Sequence, residues 1–152
     1  MKYFEDFAVG QRAAFGRYEV TRDEVTEFAT RYDPQPFHLS DEGAASTHFG
    51  RQSASGWHTC AMTMAMIVAD LKGRDIASLG AAGIDELRWL KPVYPGDTLR
   101  CETEVIETRA SRSRPEMGSV RTRMTVFNQH DVAVMSFVSI GLFATRAGSG
   151  AS

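Results

Sequence analysis

The chain has 152 residues, enough for one domain with a substantial core, and its 43% hydrophobic and 24% charged residues are typical of a water-soluble globular protein. The formal net charge of -2 argues against a nucleic-acid or anionic-membrane partner, because such partners usually require a basic surface. No apolar run approaches the roughly 20 residues that cross a bilayer, and MKYFEDFAVG at the N-terminus lacks the long apolar segment of a signal peptide. We therefore expect a cytoplasmic protein, with residues 1–146 in a single domain and residues 147–152 as a flexible tail.

The first 50 residues predict one strand and two helices. Residues 11–20 show the mixed alternation of a strand. Thr21 and Glu24 form the pattern of a capping box and are followed by an apolar helical face, which predicts a helix from this point. Ser40, which precedes two acidic residues, predicts the start of a shorter helix that ends near His48.

The segment 56–73, GWHTCAMTMAMIVADLKG, is apolar around almost its whole circumference until Lys72. A helix without a polar face must be buried on all sides, and this one is too short and too interrupted for a membrane span. We therefore predict a central helix that another element wraps, with Gly73 as its C-cap.

The second half of the chain predicts the strands that wrap this helix. Residues 87–93 precede a YPGD sequence in which Pro95 and Gly96 suit the central positions of a type II turn. Alternating or apolar segments predict strands at 98–108, 119–127 and 132–145, with a turn at 128–131. The apolar face of such a sheet must be buried, and so must the apolar helix, and each can bury the other. We therefore predict an α+β fold, a curved antiparallel sheet wrapped around one long central helix.

Residues 32–39, YDPQPFHL, place Asp33 and His38 on a stretch that Pro34 and Pro36 stiffen. Each proline fixes its own φ at roughly −65° and biases the preceding residue toward an extended conformation. The stretch would therefore lose little entropy in presenting both side chains to one point. Aspartate before proline is also a common turn initiator, and a buried histidine is often only a hydrogen-bonded core residue, so both interpretations stay open at this motif.

The motifs and the predicted architecture together resemble the MaoC-like dehydratase and (R)-specific enoyl-CoA hydratase family, which has the hot-dog fold. Residues 33–38, DPQPFH, are similar to the D-x-N-P-x-H of that family. SASG at 53–56 is similar to the segment whose glycine opens its central helix, and LRWLKPVYPGDTL at 87–99 to its strand-turn-strand. The resemblance covers nearly the whole chain and departs from the family at Tyr32, where the hydratases usually carry glycine, and at Gln35, where they usually carry asparagine.

The resemblance implies a lyase that reversibly adds water to a trans-2-enoyl-CoA or a related unsaturated acyl-CoA, with coenzyme A entering as part of the substrate and no other cofactor. Asp33 would activate the water and His38 would relay its proton. A backbone amide at the start of the central helix, of Gly56 or Trp57, would bind the thioester oxygen, although Gly56 is equally suited to a tight helix entry. His58 could line the acyl pocket, but a packing role is the preferred interpretation.

The resemblance also implies a second subunit, because the acyl tunnel of this family runs between two protomers, so we expect a homodimer or a higher homo-oligomer. Arg109, Arg112 and Arg114 are candidates for binding the CoA phosphates, or are simply a solvated hairpin tip. Two other functions stay open: an acyl-CoA thioesterase, and a non-catalytic acyl-CoA-binding protein. The acid of a thioesterase normally lies on or beside the central helix, and residues 52–67 contain neither aspartate nor glutamate.

The two cysteines, Cys60 and Cys101, each lie in an apolar pattern, which favours structural thiols in a reducing compartment. The four histidines show no metal-ligand spacing, and the sequence contains no CxxC or HExxH motif. We therefore expect no metal site.

Overall fold

The computed structural model describes residues 1–150 of the protein. The strands are β1 (Arg12–Glu19), β2 (Ser78–Trp89), β3 (Thr98–Ala110), β4 (Met117–Phe127) and β5 (Ala133–Ala144). The helices are α1 (Arg22–Tyr32), α2 (Pro36–Leu39), α3 (Asp41–Ala44) and α4 (Gly56–Gly73). In the predicted tail, residues 147–150 lie in a turn, where the Ser149 N–H donates to the Thr145 carbonyl, and residues 151–152 lie outside the described residues.

The five strands form one antiparallel sheet in the order β1-β3-β4-β5-β2. β3, β4 and β5 make the predicted meander, and β1 and β2 form the two edges. The long helix α4 packs one face against this sheet through Met62 and Met66. The fold therefore confirms the α+β architecture expected from the sequence.

The edge strand β1 lies unusually close to α4 at Gly16. This residue has a φ of +88°, and a Cβ at this position would lie 2.7 Å from Met66 Sδ. A glycine is required there for both reasons, since other residues rarely adopt such a φ. The strand pairing of β1 with β3 shifts register between Phe15 and Tyr18, so the irregularity of β1 coincides with its close approach to α4.

Several local predictions are confirmed. α4 spans the predicted segment 56–73, although its C-cap is Arg74 and not Gly73. Thr21 caps α1 by accepting from the Glu24 N–H at 3.3 Å. The predicted type II turn is present, since the Asp97 N–H donates to the Tyr94 carbonyl and Gly96 has a φ of +97°.

Two local predictions differ from the structure. The helix that Ser40 caps ends at Ala44, not near His48, and the first strand of the second half is Ser78–Trp89, whereas the sequence placed it at 87–93. The prediction that α4 is buried on all sides is also wrong for the single protomer. Its outer face is exposed at Trp57, Met64 and Val68, and residue Trp57 is 60% exposed.

Candidate active site

The stretch around Asp33 and His38 is a helix end followed directly by a one-turn helix. The Asp33 N–H donates to the Ala29 carbonyl at 2.9 Å and ends α1, and Pro36 starts α2, a position where its missing N–H costs nothing. His38 therefore points from α2 back toward the end of α1, and its side chain is buried. His38 Nε2 lies 3.4 Å from Asp33 Oδ2, so the structure brings the predicted pair together.

The hydrogen bonds of His38 determine which ring nitrogen faces the aspartate. His38 Nδ1 lies 2.7 Å from the Ser53 carbonyl oxygen, which can only accept, so Nδ1 carries the proton. In the neutral ring, Nε2 is then an acceptor that faces the acceptor Asp33 Oδ2. A water that donates one hydrogen to each atom would satisfy both groups.

The surroundings of Asp33 favour its ionised form. Burial raises the pKa of the carboxyl, but the amide of Gln35, which donates to Asp33 Oδ1 at 2.7 Å, together with the Ser55 hydroxyl and His38, outweighs burial and lowers that pKa below its ordinary value of 3.8. Gln35 is one of the two departures from the family motif, and here it holds the carboxylate directly. Asp33 is therefore an acceptor at neutral pH and is suited to act as a base.

The N-terminus of α4 lies beside this pair and offers free donors. Ser55 is the N-cap residue, but its side chain makes no capping hydrogen bond. The amides of Gly56 and Trp57 have no acceptor among residues 1–150. These N–H groups lie at the positive end of the helix dipole and can donate to a ligand oxygen. The segment that carries them also contains Ser53, whose carbonyl accepts from His38 Nδ1, and Ser55, whose buried hydroxyl has no hydrogen-bond partner among the described residues.

Gly56 is also required by its neighbour on β2. A Cβ on Gly56 would lie 2.7 Å from Trp89 Nε1, and that same indole nitrogen donates to the Gly56 carbonyl at 3.0 Å. The Trp57 ring meets Trp89 edge-on, with 5.2 Å between ring centroids. Packing against Trp89 therefore explains why residue 56 is a glycine. It does not explain why the Gly56 amide has no acceptor.

His58 is buried and belongs to a polar cluster that the sequence did not predict. His58 Nε2 lies 3.0 Å from Glu24 Oε1, and the Tyr18 hydroxyl donates to the same oxygen. Glu24 was predicted to complete a capping box, but its carboxylate instead contacts these two side chains. Phe28 stacks on the His58 ring, with the planes 9° apart. Nothing in the sequence marks Tyr18 and Glu24 as partners of a histidine 34 residues beyond Glu24.

The cluster shifts the pKa values of its members. Burial raises the pKa of Glu24, but the hydrogen bonds from Tyr18 and His58 outweigh it and lower that pKa below its ordinary value of 4.5. Burial and the Glu24 carboxylate raise the pKa of Tyr18 to about 12. At neutral pH Glu24 is therefore a carboxylate that accepts two hydrogen bonds.

The arginine cluster lies at the other end of the sheet. Across the sheet, Trp89 of β2 pairs with Met135 of β5, Met135 with Val126 of β4, and Val126 with Cys101 of β3. Because Trp89 contacts Gly56, Cys101 marks the end of β3 that lies toward the candidate site. Ala110 lies nine residues further along β3, about 30 Å away at 3.3 Å per residue. Arg109, Arg112 and Arg114 are exposed around this hairpin tip, so one protomer does not bring them to Asp33 and His38.

Among the described residues, no helix is long and apolar enough to cross a membrane.

Comparison with known proteins gives a family match over most of the chain. The profile of the family described as "MaoC like domain" matches residues 6–129. Among solved structures, a MaoC-like dehydratase from Rhodospirillum rubrum is 38% identical and superposes with a TM-score of 0.87, over 96% of this chain and 99% of that one.

Two curated relatives are named for reactions of CoA thioesters. The 3-hydroxybutyryl-CoA dehydratase of Methylorubrum extorquens is 33% identical over 117 residues, which cover 76% of this chain and 71% of that protein. The mesaconyl-CoA hydratase of Cereibacter sphaeroides is 32% identical over 139 residues, which cover 90% of this chain. The match spans only 39% of the length of that hydratase.

Proposed function

The chain belongs to the MaoC-like domain family and has the hot-dog fold, and on this premise we propose that it is a hydratase that reversibly adds water to the double bond of a trans-2-enoyl-CoA or a related unsaturated acyl-CoA. The single observation that supports the proposal most is the 3.4 Å approach of His38 Nε2 to Asp33 Oδ2, two acceptors that one water can join. The free amides at the start of α4 lie beside them.

These groups can perform each step of hydration. The water held between Asp33 and His38 gives up a proton as its oxygen bonds to the β-carbon of the enoyl thioester. The electron pair of the double bond moves toward the thioester carbonyl, whose oxygen gains charge and is stabilised by the Gly56 or Trp57 N–H. The proton taken from the water is then delivered to the α-carbon, which restores both side chains to their starting state.

The names of the curated relatives support a CoA thioester with a short acyl group. Both are named for CoA thioesters, and one of them for the four-carbon 3-hydroxybutyryl group. Both cysteines are free thiols, as expected in a reducing compartment, which supports the proposal of a cytoplasmic enzyme. Binding of the CoA phosphates by Arg109, Arg112 or Arg114 stays a prediction. In one protomer these arginines are remote, so they would have to serve a site that another subunit completes.

We also propose that two copies of the chain pair to form the working enzyme. The outer face of α4 is apolar and exposed, and β2 is an edge strand with exposed Leu79, Ile84 and Trp89. An edge strand with unpaired backbone groups and a large apolar surface is an association surface. Pairing of β2 with a second β2 would join the two sheets and cover both surfaces at once.

The activity can be tested with crotonyl-CoA. Hydration removes the enoyl absorbance without releasing thiol, whereas a thioesterase releases free CoA and leaves the enoyl group intact. We expect loss of enoyl absorbance, with 3-hydroxybutyryl-CoA as the product. Release of CoA with free crotonate as the other product would identify the thioesterase, and binding of acyl-CoA without either reaction would identify the non-catalytic protein.

A further inference from the structure

The buried residue Gln52 lies between the segments that carry the groups of the candidate active site. It is polar, yet only 1% of the residue is exposed. Asp33 ends α1, His38 lies in α2, and the amide of Gly56 begins α4 four residues after Gln52. A buried amide requires hydrogen-bond partners, so the partners of Gln52 indicate which of these segments it holds together.

The side-chain amide of Gln52 uses its oxygen and both of its N–H groups. Gln52 Nε2 donates to the Thr26 hydroxyl at 2.8 Å and to the His38 carbonyl at 2.9 Å. Gln52 Oε1 accepts from the Arg22 guanidinium at 2.8 Å. A guanidinium can only donate and a backbone carbonyl can only accept, so Arg22 and His38 determine which end of the amide faces each of them. The amide therefore joins α1, through Arg22 and Thr26, to α2.

The backbone around Gln52 holds α2 and α3 as well. The Gln52 N–H donates to Oδ1 of Asp41, the first residue of α3, at 3.0 Å. The next residue, Ser53, donates its N–H to the Phe37 carbonyl at 3.1 Å and accepts from His38 Nδ1 at 2.7 Å. Residues 52 and 53 therefore hold His38 at its backbone carbonyl and at its ring.

The Asp33–His38 pair does not hold itself together. In the neutral ring, His38 Nε2 and Asp33 Oδ2 are both acceptors, so no direct hydrogen bond joins them across their 3.4 Å separation. That separation must be maintained by contacts around the pair. Asp33 follows Thr26 by about two turns of α1, and Gln52 bonds both to Thr26 and to His38, so its amide connects the two helices that set the separation.

We propose that Gln52 is a positioning residue for hydration, which holds His38 and the helix that ends at Asp33 at the separation that one water can bridge. The inference rests on the proposed hydratase function. The side-chain hydrogen bonds of Gln52 run to α1 and α2 and not to the Asp33 carboxylate, so it acts through these elements. Placement of reacting groups is demanding, since a shift of about 1 Å can lower a rate about 100-fold.

The first test is Gln52→Met, which keeps the approximate length of the side chain and removes all three of its hydrogen bonds. We expect kcat for hydration of the best enoyl-CoA to fall about 10- to 100-fold while KM changes less than about threefold. KM should change little because the Gly56 and Trp57 amides, which would bind the thioester oxygen, are not bonded to Gln52. A folded Gln52→Met variant with wild-type kcat would overturn the proposal.

Thr145→Val is the matched control for the loss of a buried hydrogen bond. The Thr145 hydroxyl donates to the Pro115 carbonyl at 2.9 Å, and the residue is buried. It follows β5 at the end of the sheet that lies away from Trp89 and Gly56. This variant should lose stability and keep the wild-type kcat, which separates a general loss of stability from a loss of positioning.

Arg22 allows a second test that leaves the buried residue in place. Its side chain is 53% exposed, and it orients the Gln52 amide by donating to Oε1. Arg22→Met should lower kcat less than Gln52→Met does, and Arg22→Lys, which can still donate, should restore most of the loss. In the Gln52→Met background, Arg22→Met should have no further effect on kcat, because Arg22 acts through Gln52. Wild-type kcat in Arg22→Met, or an equal loss in both backgrounds, would overturn the proposal.

The ring of His38 gives a readout that does not require turnover. Its Nδ1 proton is buried and bonded to the Ser53 carbonyl, so its NMR signal should exchange slowly with water, and His38→Ala identifies that signal by its loss. The signal should broaden or disappear in Gln52→Met and persist in Thr145→Val. This result would support the positioning role even if the wild type hydrates no substrate. An unchanged signal in Gln52→Met would overturn that role even in an active hydratase.

Discussion

The two buried histidines of this protein both turn Nε2 toward a carboxylate, but they carry their proton on different nitrogens. In His38 the Ser53 carbonyl holds Nδ1 and leaves Nε2 toward Asp33, whereas in His58 Glu24 holds Nε2 and leaves Nδ1 free. The first arrangement could be predicted, because Asp33 and His38 are five residues apart on a stiff stretch. The second could not, since Glu24 and His58 are brought together only by the packing of two helices.

The hydrogen bond from Tyr18 to Glu24 predicts a change of stability at high pH. In the folded protein the pKa of Tyr18 is raised from 10.0 to about 12, so the folded state keeps a proton that the unfolded state loses. This contribution to stability is complete below pH 10 and is lost as the pH rises through about 12. The free energy of unfolding, measured by urea denaturation over this range, should fall more steeply for the wild type than for Tyr18→Phe.

A matched control for this comparison is Tyr32→Phe, since Tyr32 is 67% exposed and its hydroxyl makes no hydrogen bond among the described residues. That variant should keep the steep wild-type slope. Parallel slopes for the wild type and Tyr18→Phe would contradict the account of the cluster.

At the scale of elements, segments with strong local signals were predicted well and segments without them were not. α4 was identified by its apolar length, α1 by Thr21, and the turn before β3 by Pro95 and Gly96. Most of β2 was missed because its first residues, SLGAAG, combine glycine and alanine, which have low strand propensity, and show no alternation. The pairing of β2 with β5 contains three register shifts. The extended conformation of β2 therefore depends on pairing with β5 and not on a pattern in its own sequence.

Alanine substitutions at the first and last residues of α4, Gly56 and Gly73, should affect stability differently. In Gly56→Ala the new Cβ would collide with the Trp89 ring, so we expect a loss of about 1–3 kcal/mol in the free energy of unfolding, together with reduced activity. In Gly73→Ala the new Cβ meets no atom within 4 Å, so stability should be unchanged or higher by about 0.4–1 kcal/mol.

Thermal and urea unfolding of both variants measure this contrast. Because both changes place alanine in the same helix, the difference between them reports the Trp89 contact and not helix propensity. Equal stabilities for the two variants would show that the Trp89 ring moves aside at no cost.

At the scale of the whole molecule, the protomer has an apolar surface that the sequence pattern placed in a core. The prediction that α4 is buried on all sides came from its composition, and composition does not distinguish burial within one chain from burial between two. Trp57, Met64 and Val68 are exposed on α4, and Leu79, Ile84 and Trp89 on β2. The second copy that we propose would explain the composition of α4 and the exposure of β2 together.

This explanation predicts the effect of a charge on the β2 edge. Ile84, which is 54% exposed, would lie in the joint between the two copies, so Ile84→Asp should convert a dimer into a monomer of 16.8 kDa and reduce hydration. Val9→Asp is the control, because Val9 is 65% exposed and lies at the β1 edge. Sedimentation velocity measures both. A wild-type protein that sediments as a monomer, or an Ile84→Asp variant that remains a dimer, would contradict the proposed pairing.

The central claim is that Asp33 and His38 together activate one water for addition to an enoyl thioester. The most direct test is kcat/KM for hydration of the best substrate in Asp33→Asn and in His38→Ala, with circular dichroism to confirm that each variant is folded. We predict a loss of about 10²–10⁴-fold in each, the usual contribution of a general acid or base. Because the two groups share one water, the double variant should lose little more than either single variant. Wild-type turnover by either folded variant would contradict the account.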